Sequence, residues 1–188
     1  MHRAAFVGLL VPAVVLAAVL AARPGGAAPG GSAVSGPAAR LGVWEGRWTI
    51  SERDYQTAYS RAHTNSVMAD CGWARNRGFM VCDYLNSNPG NGVPDNDLAI
   101  FSYSPTSKSY ARVGVFKGEK PLWERLNVNG NTWTASFNFP YKGATLTYRD
   151  VYVYSPDGTR TTTTAQVTAD GGHTWTTVSH FAGVKAGP

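Results

Sequence analysis

Arg112 alternates along the chain with Tyr110, Gly114 and Phe116, so a strand over this stretch sets a guanidinium on an otherwise apolar face. Such a group does not shed its proton and must meet a carboxylate, from the protein or from a ligand. Glu124 and Asp150 are acids in similar company, Asp150 alternating with Tyr148, Tyr152 and Tyr154. A third alternating set is Trp133, Ala135, Phe137 and Phe139. An aromatic lining with one or two charged groups is how buried sites orient an amphipathic small molecule. The candidate ligand-contacting residues are therefore Arg112, Tyr110, Phe116, Trp133, Phe137, Tyr148 and Tyr152, with Arg112 able to clamp a carboxylate. The competing arrangement has the aromatics filling the interior and Arg112 solvated or paired with an internal acid.

Other chemistry finds little support. His173 and His180 are seven apart, which sends them to opposite faces of a regular strand, and His63 is alone in its segment, so no metal site is expected. No G-x-S-x-G elbow is present, and no catalytic residue is assigned. A glycosidase needs two carboxylates across a cleft; Glu124 and Asp150 meet that test too loosely, which leaves an enzyme the least favoured class. Thr168 to Trp175 fits the loose Asp-box pattern, read here as a structural hairpin turn. Cys71 and Cys82 flank a turn near Asn76 and Arg77, which sets them opposite each other in an antiparallel pair. A Cys71–Cys82 disulfide is expected for an exported chain, and a four-residue loop closed by Ala74 and Phe79 would give it the better, non-hydrogen-bonded site. Two buried free thiols are the alternative.

These residues need a scaffold, and the chain supplies about ten strand-like runs separated by turn signals. Trp44, Gly46, Trp48 and Ile50 share one face of the opening run. Further runs lie within 57–73, 79–86, 98–103, 109–116, 122–128, 132–139, 144–154, 160–168 and 174–181, with one long Gly/Pro/Asn-rich loop over 88–97. Asn129 and Gly130 give the strongest short hairpin signal. Short connections predict sequential antiparallel neighbours, and ten such strands leave exposed edges unless the sheet closes. The expectation is an all-β, single, antiparallel up-and-down barrel, with Trp44 and Trp48 pointing inward to plug one end. A sandwich is the alternative.

Gly42-Val43-Trp44-Glu45-Gly46 resembles the opening G-x-W of calycin-type barrels, the lipocalins, fatty-acid-binding proteins and nitrobindins. Gly42, Trp44 and Gly46 are thus the candidate barrel signature. Cys71-Gly72-Trp73, Gly78 to Cys82, Tyr103-Ser104-Pro105, Tyr110 and Asp170 to Trp175 together resemble an uncharacterised lipocalin-like family of unknown function. The resemblance spans nearly all of 41–182 and implies a barrel, with no activity or catalytic residue. Two departures stand out. Lipocalins usually carry a basic residue late in the barrel against the opening Trp, and 174–181 contains none. Nitrobindins ligate haem through a His near the C-terminus, and His180 lies in a comparable region, which keeps haem through His180 as a minority alternative to no cofactor.

The remaining organisation concerns compartment. A basic start, an apolar run over 4–22 and small residues at 24–28 lay out a secretory signal over 1–28, an uncleaved anchor being the rival reading. Residues 29–40 read as a disordered Gly/Ala/Pro/Ser-rich tether and 41–188 as the barrel domain. The chain has 17 Lys and Arg against 12 Asp and Glu. Removal of Arg3 and Arg23 leaves 15 against 12, a mildly basic balance with no stripe for nucleic acid. The expected product is a secreted or periplasmic protein, off the membrane once the signal is cleaved, that binds a small apolar or amphipathic ligand. A structural or partner-binding envelope protein without a cavity is the second reading.

Overall fold

The computed structural model describes residues 34–86, 95–116 and 120–186. From Gly46 the chain changes sides at every residue. Trp48 is 3% exposed while Arg47 and Thr49 beside it are open to solvent, and the alternation continues to Asp54. The same period of two builds β1 (Gly46–Asp54), β2 (His63–Trp73), β3 (Phe79–Asn86), β4 (Asp95–Ser104) and β5 (Ser109–Val115). It continues through β6 (Leu122–Asn129), β7 (Thr132–Tyr141), β8 (Ala144–Tyr154), β9 (Arg160–Thr168) and β10 (Thr176–Lys185). Each strand pairs antiparallel with the next, and β1 pairs on its other side with β10, Ile50 lying between Val67 and Gly183. The ten described strands thus form a closed barrel, which leaves no unpaired edge. The sandwich alternative is excluded.

One end of this barrel is plugged. A 3₁₀ helix, Gly36–Trp44, starts with Pro37 at its first turn and lays Leu41, fully buried, against the strand ends. Trp44 stacks on Phe101 at 4.3 Å and meets Tyr152 and Tyr154 edge-on at 5.1 and 5.4 Å. The Trp48 indole N–H donates to the Trp44 carbonyl at 2.9 Å, and the Tyr110 hydroxyl donates to the Pro37 carbonyl at 2.7 Å. Both tryptophans point inward as expected, but Trp44 ends the 3₁₀ helix and is not part of the strand. Residues 36–40, read from sequence as the end of a tether, are helical because Leu41 and Trp44 anchor them to the core. The rest of the segment read as signal and tether, 1–33, lies outside the described residues.

The hairpin ends follow local chemistry. Ala74 N–H donates to the Phe79 carbonyl at 2.9 Å, so the β2–β3 loop has four residues and Cys71 faces Cys82 directly. Their Cα atoms lie 4.0 Å apart, as a non-hydrogen-bonded pair requires, and the sulfurs are bonded at 2.03 Å inside the barrel wall. Gly130, at φ 55, and Asn131 form the β6–β7 turn, one residue later than Asn129-Gly130. The Asp170 carboxylate accepts from the Thr168 hydroxyl at 2.7 Å and the Thr174 N–H at 2.9 Å, while Trp175 N–H donates to the Gly172 carbonyl. The Asp-box segment is therefore a hairpin turn. Two boundaries depart from the sequence reading. β4 begins at Asp95, inside the span expected as loop, of which 88–94 lies outside the described residues. β10 runs on to Lys185, whose ammonium sits 4.9 Å over the Trp48 ring. This is the strand's Trp48 and not the Trp44 of the G-x-W motif, whose ring meets Phe101, Tyr152 and Tyr154.

Candidate functional site

The plug fills the end of the barrel where β1 starts, and the inward positions of the other half are built differently. β1 continues its inward face from Ile50 to Glu52 and Asp54, and β2 opposes them with Val67, Asn65 and His63. β7 and β8 add Phe137, Phe139 and Tyr148, and β10 adds Phe181. These side chains point inward, yet Ile50, Glu52, Val67, Phe137, Phe139, Tyr148 and Phe181 are all only half-buried. Water therefore reaches the inward face of this half, the lumen side of the barrel, where Phe139, Tyr148 and Phe181 also pack on the buried Leu146, Ala165, Val167 and Val178. The β1–β2 loop crosses its mouth. Tyr59 packs 5.9 Å from Tyr141, whose hydroxyl donates to the Ala58 carbonyl at 3.0 Å. Thr57 and Ser60 brace that loop through hydrogen bonds to each other and to its backbone.

A charged floor separates lumen from plug. Arg112 Nη1 donates to Glu124 at 2.8 Å and lies 3.9 Å from Asp150. The Tyr148 and Tyr152 hydroxyls both donate to Asp150, at 3.0 and 3.2 Å, and Arg112 reaches the Tyr152 oxygen at 3.5 Å. The guanidinium also lies over the Phe101 ring at 5.8 Å. Arg112 retains 14% side-chain exposure, Asp150 12% and Glu124 3%, so the floor touches the lumen. Asp150 stands between Ala135 and Ala165 on the neighbouring strands, both buried.

Burial governs the electrostatics. It works against the charge on Arg112, but the surrounding tyrosine and carboxyl oxygens overcome that and hold the guanidinium well above its ordinary pKa. Burial pushes Glu124 and Asp150 up from the usual carboxylate range against the pull of Arg112, and the two acids raise Glu124 further by mutual repulsion. Glu52 is also raised, chiefly by burial, despite the Asn65 amide donating to it at 3.0 Å. The Tyr148 and Tyr152 phenols are pushed well up by burial and stay protonated.

The structure divides the residues expected to contact a ligand into separate places. Arg112, Tyr148 and Tyr152 meet at the floor, and Phe137 stands in the lumen wall, 5.1 Å from the Tyr148 ring. Tyr110 and Trp133 belong to the plug, in ring contact with each other at 5.4 Å. Phe116 lies just past β5 with its ring against Gly114, where a Cβ would come within 2.8 Å of it. Arg112 is engaged by internal acids, the arrangement weighed against a free carboxylate clamp. His180 faces outward, exposed, with its ring beside Tyr55 and hydrogen-bonded to Thr164; an axial ligand to a haem inside the barrel would not come from it. Sequence reasoning missed Glu52 and Asp54. The signal was there, because Glu52 and Asp54 extend the period of two from Trp48 and Ile50.

No protein-family model matches the chain, and no curated protein does. Among solved structures it is similar to the crystal structure of Rv2717c from M. tuberculosis, with a TM-score of 0.54. The match covers 82% of this chain and 100% of that one at 10% sequence identity. At that identity the likeness extends to the closed barrel and no further.

Proposed function

We propose that the protein is an exported, calycin-like barrel that binds a small amphipathic ligand in the open half of its lumen. The observation that carries this reading is the set of inward side chains left half-buried above a hydrogen-bonded charged floor. Filled barrels bury such positions. The apolar wall of Ile50, Val67, Phe137, Phe139 and Phe181 would take the ligand's hydrocarbon part, and the floor its polar end. The Cys71–Cys82 bond suits an oxidising compartment, and no helix among the described residues is long and apolar enough to cross a membrane.

Titration with the neutral dye N-phenyl-1-naphthylamine tests the reading. Fluorescence should rise with one-to-one stoichiometry, and Val67→Trp, which fills the lumen, should abolish the rise while the circular dichroism of the barrel persists. An unchanged response in that variant would place the dye elsewhere and refute lumen binding. The partner-binding alternative draws on one observation, the outward Trp123 at 71% exposure beside Val113 on β5. Trp123→Ser should leave dye binding intact if the lumen is the site.

A further inference from the structure

The outward face of β3 to β6 is apolar where β1 and β9 are polar. Val81, Ile100, Val113 and Trp123 stand in direct register and form one row across four strands. They alternate with the inward Cys82, Phe101, Arg112 and Glu124, so they point away from the interior. Leu98 and Val115 lie next along their strands toward the lumen end and widen the row into a patch. Trp123 is 71% exposed, Val115 is exposed, and the others are half-buried. Outward positions on β1 and β9 carry Thr49, Ser51, Thr162 and Thr164 instead. A contiguous apolar patch on an otherwise polar wall marks a contact surface.

The side chains around the patch are basic. Among the described residues, the outward charges between 74 and 131 are Arg75, Arg77, Lys108, Lys120 and Arg125 against Asp83 alone. The whole chain is far less one-sided, with 17 basic to 12 acidic residues. An apolar patch with an exposed Trp and a basic rim suits an anionic bilayer, the ring at headgroup level and the cations against lipid phosphates. Curvature separates this occupant from a second copy of the chain. The patch lies on the outside of a closed barrel and is therefore convex. Two rigid convex faces touch along a strip, short of the roughly 1,000 Å² that a stable protein interface needs. A bilayer interface moulds around the crest.

We propose that this face docks the protein on the surface of anionic membranes, with Trp123 entering the boundary between headgroups and acyl chains. Arg125, the next outward residue along β6, and Lys120, just before that strand, hold lipid phosphates on either side of it. The contact is peripheral and made by the barrel wall, and it does not rest on the lumen-binding reading. It departs from the expectation that the processed chain stays off the membrane.

Tryptophan quenching by brominated acyl chains tests this on the full chain. The vesicles are phosphatidylcholine alone and phosphatidylcholine mixed equally with phosphatidylglycerol. Bromine quenches only a ring that enters the bilayer, so the readout stays local to Trp123 whatever the apolar run over 4–22 contacts. The mixed vesicles should quench the wild type several-fold more than phosphatidylcholine does, and high salt should remove most of the difference. Trp123→Ser should show no quenching while its circular dichroism is unchanged, because the residue is exposed. The Lys120→Ser/Arg125→Ser double variant should lose quenching several-fold with Trp123 in place. Quenching that persists in Trp123→Ser, that is absent from the wild type, or that is equal on both vesicles overturns the proposal. A dimer seen by sedimentation velocity without vesicles, and dissolved by Trp123→Ser, assigns the face to a second copy and overturns it too.

Discussion

Arg112 shows how one side chain can be half-read from sequence. Its place among aromatics required an acid, and Glu124 and Asp150 were the available ones; both supply it, at 2.8 and 3.9 Å. Which acid, or whether a ligand would serve instead, depends on strand register, and no local pattern encodes that. Glu124 lies across β5–β6 from Arg112, whereas Asp150 reaches it through the lumen from β8. Arg112→Met leaves two buried carboxyls without their cation and should cost about 3–5 kcal/mol of stability near neutral pH. Urea unfolding should show part of that loss recovered at pH 4, where both acids can take up protons. The carboxyls also set the pH profile of the native protein. Glu52, Glu124 and Asp150 have folded pKa values above the ordinary range, so the folded chain holds protons that the unfolded chain has released. Their contribution is intact below the ordinary carboxylate pKa and declines as pH rises through the raised values. Asp157 acts oppositely, held down to about 2 by the Ser155 and Thr159 hydrogen bonds, and Asp170 lies lower still. Thermal melts should therefore peak on the acidic side of neutrality, and Glu52→Gln should flatten the decline toward higher pH.

Strands were legible where alternation ran unbroken between turn residues. β3, β8 and β9 have the bounds that their sequence patterns give, because Gly, Pro and Asp punctuate both ends. The errors fall where tertiary packing overrides composition. β10 passes the expected end at Phe181 because Gly183 fits against Thr161, where a Cβ would come within 2.7 Å of a methyl group. The 3₁₀ helix was missed because Gly, Pro and Ala carry no periodic signal, and Leu41 is buried only once the barrel end exists to receive it. At the β2–β3 hairpin, by contrast, residue counting alone set Cys71 opposite Cys82. Reduction, or the Cys71→Ala/Cys82→Ala double variant, should lower stability by about 2–3 kcal/mol through the short loop it releases. Chemical denaturation with and without reductant measures this, and barrel closure should survive because the ladder hydrogen bonds do not depend on the bridge.

For the molecule as a whole, the barrel divides into a plugged half with the larger core cluster and a lumen half built on the smaller cluster of Leu146, Ala165, Val167 and Val178. The plug concentrates Trp44, Trp48, Phe101, Trp133 and Tyr154, and the lumen keeps its acids and phenylalanines within reach of water. The sequence revealed the class and the closure, since sequential strands with short connections have few other solutions. It could not apportion aromatics between plug and lumen, because Tyr110 and Phe137 alternate in the same way and differ only in their height along the barrel axis. Methyl-selective NMR during a titration with N-phenyl-1-naphthylamine tests lumen binding most directly. The account predicts saturable shifts at inward Ile50, Val67 and Ala135, with outward Val153 and Val184 unmoved. Shifts confined to the outward methyls, or none at saturating ligand, would contradict it.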